Sequence, residues 1–205
     1  MEPKEDTGVA YDLFNMLLVV LIAYQENVDA EKTLDRLREL SEKREGNEEI
    51  AVLYAQGLFN LSCDQGEEKA EKTLDRLREL SEKREGNEEI ALRYAKGLVN
   101  LINKQGEEKA EKTLDRLKEL SEKREGNEEI ALEYAKGLFN LSNKQGEEKA
   151  EKTLDRLREL SEKRKENEEI ILVYVKGLLA LFLRQNIDIE KGAKILREFC
   201  STCEK

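Results

Sequence analysis

The chain has 205 residues, 39% hydrophobic and 40% charged, with a single proline and neither tryptophan nor histidine. That apolar content supports a core, and the dominant Leu, Ala, Glu, Lys and Arg are strong helix formers, so the composition argues against both disorder and a β fold. A formal charge of −10, from 36 basic and 46 acidic residues, removes the broad basic footprint of a nucleic-acid binder and leaves phosphate recognition to a local patch at most.

Residues 1–29 open with Glu2, Glu5 and Asp6 instead of a basic n-region, and the apolar run 16–23 spans eight residues, against about 20 for a membrane-spanning helix. The expectation is a cytoplasmic protein, neither secreted nor membrane-inserted. Within this stretch 13–25 reads as a helix, and 1–29 as an N-terminal cap.

From residue 30 onward the sequence repeats. The string Glu-Lys-Ala-Glu-Lys-Thr-Leu-Asp-Arg-Leu stands intact at 68–77, 108–117 and 148–157, which sets a period of 40 residues. Segments 30–69, 70–109, 110–149 and 150–189 are successive repeats, and 190–199 echoes 151–160 with one residue deleted upstream, so 190–205 reads as a C-terminal capping helix. The predicted fold is all-α: one domain over 1–205, an α-α solenoid superhelix of five two-helix repeats and ten helices.

Within a repeat, 106–124 places Ala110, Leu114, Leu117 and Leu120 at steps of four, three and three, an amphipathic stripe that predicts a first helix, type B. Gly126 is expected to end it in a left-handed conformation, and Asn127 to cap a second helix, type A, whose first residues Glu128 and Glu129 suit the positive end of the helix dipole. The A helix carries Ile130, Tyr134, Gly137, Leu138 and Leu141 on one face with Ala131, Ala135 and Phe139 beside it. So wide an apolar arc requires neighbours on several sides, and a lone repeat does not supply them. Gly57, Gly97, Gly137 and Gly177 fall in the middle of A helices, where each costs about 1 kcal/mol against alanine, and the expected return is close helix approach. Residues 70–109 hold nine acids and nine bases, and pairs such as Glu68 with Lys72 stand four apart, as on a solvated helix face.

The A helix reads Asn-Glu-Glu-Ile at 87–90, then Gly97-Leu98 and Asn100-Leu101, and this resembles the third helix of armadillo repeats. Thr73-Leu74, Leu77 and Leu80 resemble the second armadillo helix, while the short first helix is absent or fused into B, as in the two-helix HEAT arrangement. The resemblance implies a groove for an extended peptide, with a ladder of asparagines on the concave A helices: Asn60, Asn100 and Asn140. The family's tryptophan position is held here by Gln56, Lys96, Lys136 and Lys176, so a lysine row points to an acidic peptide instead of a basic one. The tentative peptide site is Asn60, Lys96, Asn100, Lys136 and Asn140, and the competing reading is that these are polar residues on an exposed helix face.

Variation among copies concentrates in the A helices, at Leu53, Arg93, Glu133 and Val173 and at Phe59, Val99, Phe139 and Leu179. The first set is expected on the groove, apolar toward its ends through Leu13, Met16, Val20, Val173 and Ala180 and charged centrally; apolar terminal helices imply cap packing, self-association or a docking site for a ligand. Even the exposed Lys-Arg-Glu-Gly strings recur, the pattern of a consensus-derived or engineered array. Cys63, Cys200 and Cys203 form no disulfide framework, and Cys200-Ser-Thr-Cys203 lacks a second pair or a histidine to complete a zinc site. No phosphate loop, nucleophile motif or general base is apparent. The functional expectation is a structural repeat scaffold that is not an enzyme and uses no cofactor or metal; the alternative is a protein interaction module binding an extended or acidic peptide.

Overall fold

The structure, a computed structural model, describes residues 30–185. Eight helices fill this span: α1 (Ala30–Lys43), α2 (Glu48–Asp64), α3 (Glu67–Lys83), α4 (Glu88–Lys104), α5 (Glu107–Lys123), α6 (Glu128–Ser142), α7 (Glu147–Lys163) and α8 (Glu168–Arg184). Odd-numbered helices are type B and even-numbered ones type A, and among the described residues there is no strand. The fold is therefore all-helical with a repeated order of helices. The ten helices of the sequence reading are not reached, because the two assigned to 13–25 and 190–199 lie outside the described residues, as do Leu13, Met16, Val20, Cys200 and Cys203.

Asparagine starts the A helices as its chemistry predicts. Asn47, Asn127 and Asn167 hold extended backbone and accept the amides of Ile50, Ile130 and Ile170, satisfying a donor that the helix itself leaves orphaned. The B helices α3, α5 and α7 start instead from Gly66, Gly106 and Gly146, which provide no side-chain cap.

The turn from B to A departs from expectation. Gly126 does not adopt left-handed backbone; Arg124 leaves the helix at φ −116°, ψ 45°, and the Asn127 amide donates to its carbonyl at 2.8 Å. Since Gly126 is not at positive φ, its place has no steric need for glycine, and Glu166 takes the equivalent place after α7 without changing the turn.

The chain divides into two compact units, Met1–Tyr94 and Ala95–Lys205. In the first, α2 packs against α1 and α3 around Leu34, Leu37, Ile50, Leu58, Leu74 and Leu77, all at most 2% exposed. In the second, α6 packs against α5, α7 and α8, and α7 against α8, with Leu114, Leu117, Leu138, Leu141, Leu157 and Ile170 fully buried. Each such side chain contributes about 1.5–3 kcal/mol, so an A helix draws its stability from several partners.

The mid-helix glycines mark the closest approaches. A Cβ on Gly137 would lie 2.9 Å from Leu114, 3.0 Å from Leu117 and 3.3 Å from Ile102, and one on Gly177 would lie 2.5 Å from Leu154. In the first unit the corresponding contact is Gly57 with Leu34, at 2.5 Å. Leucines of the B helices thus seat directly on the A-helix backbone.

Candidate functional site

The polar residues that recur with the repeat are bound to one another. Arg84, just past α3, donates to the carbonyls of Glu45 and Ser41 and to Glu48 Oε1 at 3.0 Å. Asn87 adds a bond from Nδ2 to Glu48 Oε2 at 2.7 Å, while its Oδ1 accepts the Ile90 amide at 3.1 Å. Eighty residues on, Arg164 donates to the Glu125 carbonyl and to Glu128, and Asn167 reaches Glu128 Oε2 at 2.8 Å while capping Ile170. One arginine therefore claims the free carbonyls that end one turn, and its carboxylate partner opens the next helix. These bonds are charge-assisted, and the arginine side chains are only 15% exposed, which makes them stronger than pairs on an open helix face.

A second recurring contact joins the linker to the following B helix. Thr73, Thr113 and Thr153 donate to Gln65, Gln105 and Gln145 at 2.7, 2.7 and 2.6 Å. Gln105 and Gln145 are buried, so these bonds satisfy amides that would otherwise be costly to bury.

The third is centred on the A-helix tyrosine. Arg76 of α3 donates to the Tyr54 hydroxyl from Nε and Nη2 at 3.2 and 3.1 Å, and forms ion pairs with Glu31 at 3.2 Å and Asp35 at 3.1 Å on α1. Burial pushes the Tyr54 hydroxyl up from its ordinary value of 10.0, only partly countered by Arg76. It therefore stays protonated at neutral pH and is not poised as a base. In the second unit Arg156 donates to Tyr134 Oη at 3.1 Å.

These contacts line two surface clefts. A cleft of 610 Å³ in the first unit is bordered by Arg38, Tyr54, Arg76, Glu79, Lys83 and Arg84, and one of 350 Å³ in the second by Lys118, Tyr134, Arg156, Glu159, Lys163 and Arg164. Acids and bases alternate along both, and the bonds of Arg76, Arg84, Arg156 and Arg164 run to the protein itself. Among the described residues no three His, Cys, Asp or Glu side chains gather to hold a metal ion, and no helix is long and apolar enough to cross a membrane.

The residues assigned to a peptide site are less available than the sequence implies. Asn60, Asn100, Lys136 and Asn140 are half-buried and Lys96 is exposed. Asn60 Oδ1 accepts a bond from Gln56 at 2.6 Å within its own helix. Lys136 pairs at 2.8 Å with Glu133, a carboxylate only 6% exposed, so at this position the acid of the expected charged groove centre is buried and already paired. Asn60 lies in the first unit and the other four residues in the second. Cys63 is half-buried on the last turn of α2.

Sequence reasoning missed the arginine clamp. Its signal was present, because arginine recurs at 44, 84, 124 and 164, immediately before each turn. No protein-family model, curated protein or solved structure matches the chain.

Proposed function

We propose that the chain is a structural repeat scaffold, an α-α solenoid of five two-helix repeats in the armadillo/HEAT manner, consensus-derived or engineered, with no catalytic activity. The observation that carries this reading is the clamp of Arg84, Glu48 and Asn87 and its counterpart of Arg164, Glu128 and Asn167. The side chains best suited to bind a ligand serve to fasten one repeat to the one before it. A scaffold of this kind owes its repetition to stacking, since every added repeat brings the same interface. The test is a fluorescence anisotropy screen of acidic and basic extended peptides against the full chain at low and high salt. No salt-sensitive binding is expected, and saturable binding by either class would overturn the scaffold reading.

One observation favours the alternative, an interaction module for an acidic peptide: Lys96 and Lys176 are exposed on the A helices, where lysine would offer charge-assisted bonds. In that reading binding is selective for acidic peptides, weakens with salt and falls on Lys96→Ala.

A further inference from the structure

The only large hydrophobic side chains exposed among the described residues are Leu172, Leu179 and Leu183, at 50%, 50% and 72%. All three are on α8, at steps of seven and four, so they form one stripe along a single helix face. Inside the second unit this face has a known use. Phe139 of α6, at the position of Leu179, lies 3.6 Å from where a Cβ on Gly177 of α8 would be. It is the face by which one A helix docks on the next.

The stripe on α8 is also more apolar than its counterpart, because Leu183 replaces Asn143, a change opposite to what a solvent-facing terminal helix needs. Residues 189–200 lie outside the described residues. Their sequence follows the B stripe, with Ile189, Ala193 and Leu196 at the places of Ala150, Leu154 and Leu157. B helices meet the tyrosine side of A, as Arg156 meets Tyr134, and Tyr174 lies about 140–180° around the helix from Leu172, Leu179 and Leu183 at 100° per residue.

We propose that this stripe pairs with the same stripe of a second copy of the chain, the two α8 helices antiparallel about a two-fold axis. Leu172 then meets Leu183 of the partner subunit at both ends, and the aliphatic stem of Lys176 lies over Leu179 of the partner subunit. The antiparallel sense also sets the exposed Glu168 and Glu169 of one copy toward Arg184 of the partner subunit. Arg184 donates to the carbonyls of Ser142 and Gln145 at 3.1 and 3.3 Å, and its five N–H groups leave donors over for a carboxylate. A parallel arrangement would bring like charges together instead.

Sedimentation equilibrium of the full chain tests this. A single-helix seam is at the small end of specific interfaces, so the mass should rise from one chain to two between about 1 and 100 µM. Leu179→Glu should raise the half-dimer concentration at least about tenfold, corresponding to the loss of one central apolar anchor. Leu183→Asn, which installs the residue found at 143, should do the same with an unchanged melting curve, and so controls for misfolding. A monomer at every concentration, growth beyond the dimer, or a dimer unaffected by both substitutions would each overturn the proposal.

Discussion

Glycine 126 and glycine 137 serve different purposes, and alanine distinguishes them. At 137 a methyl group meets three fully buried side chains, Leu114, Leu117 and Ile102, so Gly137→Ala should destabilise by about 1–3 kcal/mol, overpacking outweighing the roughly 1 kcal/mol gain in helix propensity. At 126 nothing lies within 4 Å and the backbone is not left-handed, so Gly126→Ala should be neutral or stabilise by up to about 1 kcal/mol. Urea titration of both variants measures the difference, and a reversed order would remove the packing role of the central glycines. The packing role was legible because helical periodicity places residue 137 on the apolar face. The turn was not, since a glycine before an asparagine fits both a left-handed end and an ordinary turn, and only the path of Arg124 decides between them. The recurrence of Arg164 was visible but its partners were not, since Glu125 and Glu128 are 39 and 36 residues away. Arg164→Ala should cost about 1.5–3 kcal/mol, as for hydrogen bonds to a charged group. Lys152→Ala, which breaks an exposed pair with Glu148 whose side chains are 72% and 85% exposed, should leave the urea midpoint unchanged.

At the scale of the element, three consecutive helices of the first unit are joined by one side chain. Arg76 reaches from α3 past Tyr54 of α2 to Glu31 and Asp35 of α1, so α1 is held by ion pairs as well as by its leucines. The order and type of these helices, and the asparagine-capped starts of the A helices, were legible because stripe and cap are local signals. The pairing of Tyr54 with Arg76 was not foreseen, since it depends on which faces meet. It predicts an alkaline effect. The Tyr54 hydroxyl, and likewise that of Tyr174, is raised above 10.0 chiefly by burial, so the folded state holds the proton more tightly than the unfolded chain. The stabilisation is complete below pH 10 and is lost as pH rises through the folded value. The melting temperature should accordingly fall above about pH 10, and Tyr54→Phe should flatten that decline while lowering stability at neutral pH through loss of the Arg76 bonds. An alkaline slope identical in wild type and variant would exclude Tyr54 as its source.

Over the whole molecule, the period of 40 residues was the plainest feature of the sequence, and eight of its helices take the expected order. What the period alone could not specify is how polar side chains are divided between binding a partner and binding a neighbouring repeat. Asn60 and Lys136 were assigned to a ligand by resemblance, yet each has a partner within its own helix. Dependence of each repeat on its neighbours is the claim most open to a direct test. Residues 110–149 contain α6 and the part of α5 after Lys109, but α6 also packs against α7 and α8, so cutting out this segment exposes the face that carries Phe139. Even whole, these helices have only 17 and 15 residues, near the length at which isolated helices are marginal, and some 40 residues bury too little surface to fold alone. The isolated 110–149 peptide should therefore show weak helical circular dichroism and a broad, non-cooperative melt, against a cooperative transition for the full chain. A sigmoidal melt of the peptide with helicity equal to that of the full chain would mean that each repeat is self-sufficient, and that the clamps at Arg84 and Arg164 join parts already able to stand alone.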